Sequence, residues 1–418
     1  MGSSRHGLEP CQTEESNNRM KQQSFAALGV SADVVRALEA HGINTPFQIQ
    51  ILVLPDALRG QDILAKSPTG SGKTLAFAVP IVERLEAAEA RPAALVLVPT
   101  RELAVQVTEV LQTLAPARGL SVAAVYGGVP IRSQASGART AHVLVATPGR
   151  LQDIVERRLV SLDGVRILIL DEADRMLDMG FKPQVDRIVR LLPRSRQTMF
   201  FSATLDGEVG ELARAYTHVP SRVEADALPH SLEQGEVDHR FVPVTSENKI
   251  DTLVGLLEEA PGLSLVFVRT KRGADRLASR LAKRDVAAVA MHGDLSQNAR
   301  ERALARFDAG KVTTLVATDV AARGLDLDEI THVINFDPPE DGKGYLHRVG
   351  RTGRAGRSGT GVTLVLPEQQ AEVSRVARQN GHHETFQATG MRTAPPKLVY
   401  SSRRGGSKWG PTRARRKI

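Results

Sequence analysis

A glycine-rich segment, "SPTGSGKT" (67–74), lies between an apolar strand pattern, "DILA", and a stretch of helical period. Its two glycines allow backbone N–H groups to turn inward around phosphate oxygens. Lys73 can reach the outer phosphates of a nucleotide, and the Thr74 hydroxyl can hold Mg²⁺. The strict form of such a loop begins with glycine, where this chain has Ser67. The segment predicts a phosphate loop; the alternative is a Gly/Ser turn with an incidental lysine.

Two acidic residues, Asp171 and Glu172, directly follow the apolar run "ILIL". The carboxyl ends of parallel strands are where such sheets place ligand-binding residues. Asp171 would bind the Mg²⁺ shell, and Glu172 would orient or deprotonate an attacking water. Acids in this place also suit the N-terminus of an ordinary helix. Together with a phosphate loop about a hundred residues earlier, the pair predicts nucleotide hydrolysis.

Four arginines at steps of three residues mark the segment "HRVGRTGRAGR" (347–357): Arg348, Arg351, Arg354 and Arg357. The intervening glycines weaken an ordinary helix and let the backbone approach a ligand closely. The second half of the chain has no phosphate loop of its own, but it can supply these cations to a nucleotide held by the first half. The alternative is a solvent-facing basic patch, which stays open for Arg357 in particular.

Short Val-, Ile-, Leu- and Ala-rich runs alternate with helical stretches from about residue 30 onward. Continuous apolar runs of this kind are typical of strands buried on both faces of a parallel sheet, so the pattern predicts repeated βα units and an α/β fold. The first half contains six runs: "DILAKS", "AALVLVPT", "SVAAVYGG", "HVLVATP", "RILILDEAD" and "QTMFFSAT". The second half contains five: "LSLVFV", "VAAVAMHG", "VTTLVAT", "THVINFD" and "GVTLVL".

A polar, proline-containing stretch, "DALPHSLEQGEVDHR" (226–240), interrupts this pattern and is the candidate linker. We therefore expect two tandem α/β domains, each a parallel sheet flanked by helices. The predicted segments are a disordered leader at 1–23, a first domain at 24–225, a linker at 226–237, a second domain at 238–370 and a basic disordered tail at 371–418.

The charge of the chain is concentrated at its end. Residues 397–418 contain eight basic residues and no acidic ones, and the other 47 basic residues equal the 47 acidic residues. Such an arm is attracted to polyanions, although a solvated tail that only aids solubility is the alternative. No apolar run approaches the length of a membrane span, and the single cysteine, Cys11, excludes an internal disulfide. We expect a cytoplasmic protein.

The acids belong to the tetrapeptide Asp-Glu-Ala-Asp (171–174), and the chain resembles the DEAD-box ATP-dependent RNA helicases of bacterial type over about residues 24–370. The motifs occur in the order of that family: "GINTPFQIQ", "SPTGSGKT", "PTREL", "GG", "TPGR", "DEAD", "SAT", "VFVRT", "HGDLSQNAR", "ATDVAARGLDL" and "HRVGRTGR". The resemblance implies two RecA-like domains and an RNA-dependent ATP hydrolase with ATP and Mg²⁺ as cofactors.

The resemblance also implies a set of nucleotide-binding residues. Gln50 would read adenine and Phe25 would pack against the base, whereas Phe47 stands where many members have threonine. Arg351 and Arg354 would be arginine fingers at the γ-phosphate. Other implied ATP contacts are Ser67, Pro68, Thr69, Gly70, Ser71, Gly72, Lys73, Thr74, Gly324 and Asp326, with Thr74 and Asp171 at the metal and Lys73, Asp171 and Glu172 in catalysis.

Further residues are implied to bind RNA or to couple the two domains. An aromatic content of only 4% argues against base stacking as the main mode of strand binding, so contacts to phosphates and sugars are expected. The implied RNA contacts are Arg101, Gly128, Thr147, Arg150, Gly293, Gln297, Arg300 and Thr318. The implied coupling residues are Asp174, Ser202, Thr204, Asp319 and His347.

The activity expected from the resemblance is ATP-driven local opening of short RNA duplexes or remodelling of ribonucleoproteins. Two alternatives stay open: an ATP-gated RNA clamp, and a DNA-directed helicase, against which "DEAD", "SAT" and the Gln50 motif argue. RNA is the expected partner, with ribosome or RNA-decay assemblies as further candidates. The chain is expected to be a monomer without membrane contact.

Overall fold

Two parallel β-sheets, each flanked by helices, organise the chain. The computed structural model describes residues 23–67, 71–225, 236–322, 329–353 and 357–395. The predicted leader, most of the linker and the strongly basic end of the chain lie outside the described residues. No helix within the described ranges is long and apolar enough to cross a membrane.

The first domain contains a seven-stranded sheet of order β3-β4-β2-β5-β6-β1-β7 in which neighbouring strands run parallel. The strands are β1 (Ile63–Lys66), β2 (Ala94–Leu97), β3 (Val122–Val125), β4 (Val143–Ala146), β5 (Ile167–Leu170), β6 (Gln197–Ser202) and β7 (Ser221–Glu224). The helices are α1 (Ala32–Ala40), α2 (Gln48–Leu58), α3 (Lys73–Arg84), α4 (Arg101–Leu114), α5 (Ile131–Thr140), α6 (Pro148–Glu156), α7 (Ala173–Asp178), α8 (Lys182–Leu191) and α9 (Gly207–Tyr216).

The second domain contains a six-stranded parallel sheet of order β10-β11-β9-β12-β13-β8. Its strands are β8 (Val237–Pro243), β9 (Leu263–Phe267), β10 (Ala288–Met291), β11 (Thr314–Ala317), β12 (Ile330–Asn335) and β13 (Gly359–Val365). Its helices are α10 (Lys249–Glu259), α11 (Lys271–Ala282), α12 (Gln297–Asp308), α13 (Asp319–Ala322), α14 (Gly342–Val349), α15 (Gln370–Gln379) and α16 (His383–Gln387).

Successive side chains of a buried strand point to opposite faces of the sheet, so each sheet has an apolar core on both of its faces. In β2, for example, Ala94 and Val96 pack into one cluster while Leu95 and Leu97 pack into the other. The same alternation in β9 sends Leu265 to one cluster of the second domain and Val266 to the other. This two-sided burial is the reason that the central strands have continuous apolar sequences, and it confirms the predicted α/β fold.

Two edge strands were not among the predicted strands. β7 and β8 lie at the ends of their sheets and alternate between partly buried and exposed residues. An edge strand has one ladder neighbour and more solvent, so it does not need an apolar run. β8 begins at Val237 and includes residues that belong to the polar stretch interpreted as linker.

The predicted end of the second domain at residue 370 is wrong, because α15 and α16 continue the folded domain. Phe386 is fully buried, and Met391 and Ala394 are nearly so. These residues pack with Phe241 of β8 and Tyr345 of α14 or bond back to α15. The structured region therefore extends to residue 395, and only the part of the predicted tail beyond it lies outside the described residues.

Candidate active site

The predicted phosphate loop joins β1 to the N-terminus of α3. Gly72 has a left-handed φ of +83°, a conformation that favours glycine. Lys73 is buried, and its Nζ donates to the Ser67 carbonyl oxygen at 3.0 Å. The Ser67 hydroxyl bonds to that of Ser71, so the residue that departs from the strict pattern helps to hold the loop. Residues 68–70, three predicted ATP contacts, lie outside the described residues.

The predicted catalytic acids follow β5, which is separated from β1 only by β6. Asp171 and Glu172 are 3% and 6% exposed. Burial raises the pKa of the Asp171 carboxyl to about 7, a rise that the charge of Lys73 opposes and that of Glu172 reinforces. Glu172 has a left-handed φ of +50°, and its carboxylate forms an ion pair with Arg175 on α7.

The donor set at this edge suits a hydrated Mg²⁺ ion. No cluster of three or more His, Cys, Asp or Glu side chains suited to a metal occurs in the described part of the chain. Mg²⁺ usually takes one or two protein carboxylates and completes its shell with water and substrate phosphates. Asp171, buried beside the loop that begins α3, and the Thr74 hydroxyl in the first turn of that helix are donors of this kind.

Gln50, the predicted adenine reader, is buried and fastened to the phosphate loop. Its Nε2 donates to the Gly72 carbonyl at 2.9 Å, and its Oε1 accepts from the Phe47 backbone N–H at 2.9 Å. The Phe47 ring is 49% exposed and packs so closely on Gly72 that a Cβ there has no room. Phe25, the predicted base-packing residue, is 2% exposed within the core, so its ring presents almost no surface.

The predicted coupling residues of the first domain lie together. The Asp174 backbone N–H donates to Ser202 Oγ at 3.3 Å, and Thr204 Oγ1 donates to Asp174 Oδ2 at 3.5 Å. Ser202 ends β6 and Asp174 begins α7, so this contact joins neighbouring carboxyl ends of the sheet. A displacement of α7 can therefore be transmitted to the loop that follows β6.

The RNA-contact candidates of the first domain lie in the loops after β2, β3 and β4 or in the first turns of the helices that follow them. The Arg101 guanidinium packs against the Gly128 backbone. Arg150 donates to the Val129 carbonyl at 2.7 Å, and Thr147 is the N-terminal cap of its helix, α6. Burial lowers the pKa of the Arg101 guanidinium, and the neighbouring charges of Arg300 and Arg150 add to that effect. These positive side chains and backbone groups therefore share one edge.

The candidates of the second domain lie at the matching edge of its sheet. Gly293 follows β10, Thr318 follows β11, and Gln297 and Arg300 are buried on α12. Among the described atoms, Gln297 Oε1 and Arg300 Nε are buried without a hydrogen-bond partner. Polar atoms left this way are expected to meet a polar ligand or water.

Two ion pairs connect the domains across the cleft, and neither was anticipated. Arg300 Nη2 lies 2.7 Å from Glu102 Oε1, and both side chains are buried. Lys343 Nζ lies 3.2 Å from Asp178 Oδ2, with about 40% of each side chain exposed. The RNA-contact candidate Arg300 is thus engaged by the first domain. The sequence motifs marked Arg300 as an RNA contact, but nothing in the sequence indicated that it would pair with Glu102 or that Lys343 would pair with Asp178.

The four arginines of the 347–357 segment have different environments. Arg348 is buried, contacts both Asp319 oxygens at 2.6 and 2.7 Å, and donates to Asn335 and to the Asp337 carbonyl. Arg351 is 5% exposed just after α14, and His347 is half-buried within it. Arg357 is exposed beside Glu329 at 3.5 Å. Arg354, Gly324 and Asp326 lie outside the described residues.

Two protein-family models match this chain, one in each domain. Residues 47–212 match the DEAD/DEAH box helicase family, and residues 248–356 match the family described as helicase conserved C-terminal domain. The DEAD-box ATP-dependent RNA helicase CshA of Geobacillus kaustophilus is 40% identical over 357 residues, covering 85% of this chain and 76% of that protein. The Streptococcus pneumoniae CshA is 43% identical over 347 residues. That match covers 82% of this chain but only 66% of the pneumococcal protein.

Solved structures also resemble the chain over both domains. Saccharomyces cerevisiae Dbp5 bound to RNA and ADP BeF3 is 29% identical and has a TM-score of 0.75, covering 89% of this chain and 95% of that chain. A Dbp5 variant bound to Nup159, a Gle1 variant, IP6 and ADP is 28% identical with a TM-score of 0.58, covering 88% and 95%. The whole-chain TM-score is thus higher for the structure with RNA and ADP BeF3.

Proposed function

The chain belongs to the DEAD-box ATP-dependent RNA helicases, and from that premise we propose that it couples RNA-stimulated ATP hydrolysis to local unwinding of short RNA duplexes or remodelling of ribonucleoproteins. The observation that carries this proposal is the Arg300–Glu102 contact, which joins helices α12 and α4, each carrying proposed RNA-contact residues, across the two domains. The greater likeness to Dbp5 with RNA and a nucleotide analogue supports a closed, ligand-competent arrangement.

In this function the phosphate loop and the β5 edge bind the triphosphate. Lys73 and the backbone N–H groups at the start of α3 bind phosphate oxygens. Thr74 and Asp171 would hold Mg²⁺, which, when bound, neutralises charge on the outer phosphates. Glu172 orients or deprotonates the attacking water. Gln50 reads adenine. Ser67, Ser71 and Gly72 bind the nucleotide with Pro68, Thr69 and Gly70, which lie outside the described residues.

The second domain completes the catalytic set. Arg351 and Arg354 approach the γ-phosphate, and such fingers contribute about 10³ to 10⁵ in rate in phosphoryl transfer. Asp319 fixes the segment through its bidentate contact with Arg348. Gly324 and Asp326 would lie at the nucleotide, and His347 links the segment to the DEAD acids. Hydrolysis then depends on closure of both domains.

RNA binds across the two domains through its backbone. The contacts are Arg101, Gly128, Thr147 and Arg150 in the first domain and Gly293, Gln297, Arg300 and Thr318 in the second. They reach phosphates and 2′-hydroxyls, so binding is independent of sequence and favours RNA over DNA. Because ATP and RNA favour the same closed state, each tightens binding of the other. Asp174, Ser202 and Thr204 couple that closure to strand separation.

An assay of phosphate release from ATP in the presence of Mg²⁺ tests this function. The rate is measured with RNA, with DNA and without nucleic acid. We expect RNA, but not DNA, to stimulate phosphate release. Glu172→Gln should keep ATP-dependent RNA binding and stall turnover, whereas Lys73→Ala should lose both. Equal rates in all three conditions would contradict the proposal, and equal stimulation by DNA would favour a DNA-directed enzyme.

An ATP-gated RNA clamp is the second candidate, and the interdomain ion pairs favour it because they stabilise the closed state. A strand-displacement assay separates the two functions. A helicase releases the shorter strand of a duplex during ATP turnover, whereas a clamp binds and hydrolyses without releasing it.

We also propose a cytoplasmic monomer that works on ribosomal or decaying RNA. The single cysteine favours a reducing compartment. Light scattering of the purified chain tests the monomer, and cell fractionation tests the location. Crosslinking in cells followed by sequencing of bound transcripts would identify the RNA.

A further inference from the structure

A buried ion pair joins the DEAD glutamate, Glu172, to Arg175 in the first turn of α7. The Nη1 atom of Arg175 donates to Glu172 Oε2, one helical turn earlier. The Arg175 and Glu172 side chains are only 6% and 8% exposed. The Arg175 backbone N–H also donates to Asp174 Oδ1 at 2.9 Å, which fixes the first turn of the helix around the acids.

The position of the pair is unusual for an i,i+3 contact. Short-range ion pairs on helix surfaces are exposed and contribute little, as expected for the i,i+4 pair of Arg157 and Asp153 at the C-terminus of α6, whose side chains are 60% and 42% exposed. Arginine can normally extend its head into water. Here it stays buried against a carboxylate whose backbone has a left-handed φ of +50°. The surroundings therefore hold both side chains in one arrangement.

We propose that Arg175 is a positioning residue for Glu172. A glutamate has three side-chain torsions, and water activation requires its carboxylate in one place. The guanidinium holds one carboxylate oxygen and so limits those torsions. Misplacement of a reacting group by about 1 Å can lower a rate about 100-fold, so this restraint affects turnover rather than binding. The inference rests on the proposed function, because it assigns a role within that ATPase site.

Arginine has two properties that suit this role. Its planar fork holds a carboxylate in a defined orientation, and it stays charged when buried. Lysine at this position would retain the charge without the fork, and glutamine would lose the charge. The series Arg, Lys, Gln should therefore grade the placement of Glu172. Because side-chain size falls in the same order, the double-mutant cycle distinguishes positioning from a purely steric role.

The test is a double-mutant cycle on RNA-stimulated ATP hydrolysis. Arg175→Gln should lower kcat about 10- to 100-fold, with the KM for ATP and the RNA affinity changed less than about 3-fold. Arg175→Lys should recover part of the loss. In the Glu172→Gln background, Arg175→Gln should produce no further loss of residual turnover, since the group that it positions is gone. Arg157→Gln is the matched control and should leave kcat unchanged.

Other outcomes overturn the inference. The inference fails if Arg175→Gln leaves kcat unchanged. It also fails if Arg175→Gln lowers turnover equally in the wild-type and Glu172→Gln backgrounds, or if it changes the KM for ATP instead of kcat. If Arg175→Gln alone fails to fold, two variants avoid an uncompensated buried charge: the Glu172→Gln, Arg175→Gln pair removes both charges, and Arg175→Lys keeps a cation opposite Glu172. These variants still report whether kcat depends on residue 175. An inactive wild-type protein would instead remove the proposed function, and this inference with it.

Discussion

At the scale of single residues, the site depends on close packing between the phosphate loop and α2. Gln50 and Phe47 hold Gly72 from two sides, by a hydrogen bond to its carbonyl and by ring contact at its Cα. The loop that would cradle phosphates is thus fixed to the element that would read the base. Phe47 lacks the hydroxyl that commonly caps a helix, and its ring serves in this packing instead.

Gly72→Ala is expected to raise the KM for ATP at least about 10-fold. The left-handed backbone alone costs a non-glycine residue about 1–3 kcal/mol, and the new methyl group would collide with Phe47. Adding Phe47→Ala removes the collision with the ring, but the close contact with Gln50 Nε2 and the backbone strain remain, so affinity should recover only in part. Titration of a non-hydrolysable ATP analogue measures both. Full recovery in the double variant, or no effect of Gly72→Ala, would contradict this account.

Motif spacing allowed most of the candidate site to be predicted, because short loops at strand ends carry the residues. It did not predict the partners of those residues. Glu172 and Arg175 satisfy the i,i+3 rule, which provided a usable signal, but the rule says nothing about burial. Glu102 and Arg300 come from different domains, and only the packed molecule brings them together.

At the scale of elements, the sequence predicted every strand with an apolar run, including the edge strands β3 and β10, and missed the two edge strands without one. The eleven apolar runs correspond to β1–β6 and β9–β13, whereas β7 and β8 are polar on one side. The end of the second domain was missed for a related reason. α15 and α16 bury one face only, so their apolar residues are spaced among polar ones.

Phe386→Ala should destabilise the second domain by about 3–5 kcal/mol, the usual cost of removing a buried phenylalanine. Phe386 is fully buried and meets the Phe241 ring edge-on at a centroid distance of 5.3 Å. Urea unfolding of the full chain measures the effect, and the first domain should be unaffected. Leu191→Ala, at a half-exposed position, is the control. A loss below about 1 kcal/mol would mean that α16 is not part of the domain core.

A histidine pair under α16 should make the second domain sensitive to acid. His239 stacks on His382 at 3.7 Å and bonds to the Tyr345 hydroxyl at 2.7 Å. Burial, aided by the charge of His382, lowers the pKa of His239 from 6.5 to about 4, against the opposing charge of Asp238. Burial also lowers the pKa of His382.

Because the unfolded chain takes up these protons first, the stability is fully present above pH 6.5 and is lost as pH falls toward 4. The unfolding midpoint of the second domain should therefore drop over this window, and His239→Gln should flatten the drop. His41, exposed in the first domain, is the control position. An unchanged slope in His239→Gln would show that the pair does not control it.

At the scale of the whole molecule, closure brings together two half-sites that are chemically incomplete alone. In the proposed function the first domain contributes the phosphate loop and acids, and the second contributes Arg351, which is buried just after α14. Arg300–Glu102 and Lys343–Asp178 join the two domains at separate points. The burial of these pairs differs, so their contributions to closure should differ too.

Glu102→Gln should weaken the coupling between ATP and RNA binding about 10-fold or more, because closure would then bury Arg300 without its partner, a loss of about 3–5 kcal/mol. Asp178→Asn should change it by less than about 5-fold, since exposed pairs contribute about 0–1 kcal/mol and are screened by salt. RNA affinity, measured with and without a non-hydrolysable ATP analogue, gives the coupling. Without nucleotide, the RNA affinity of Glu102→Gln should stay close to that of the wild type. This control distinguishes a weakened closed state from the loss of a direct RNA contact. Equal effects of the two variants would show that the buried contact does not hold the closed state.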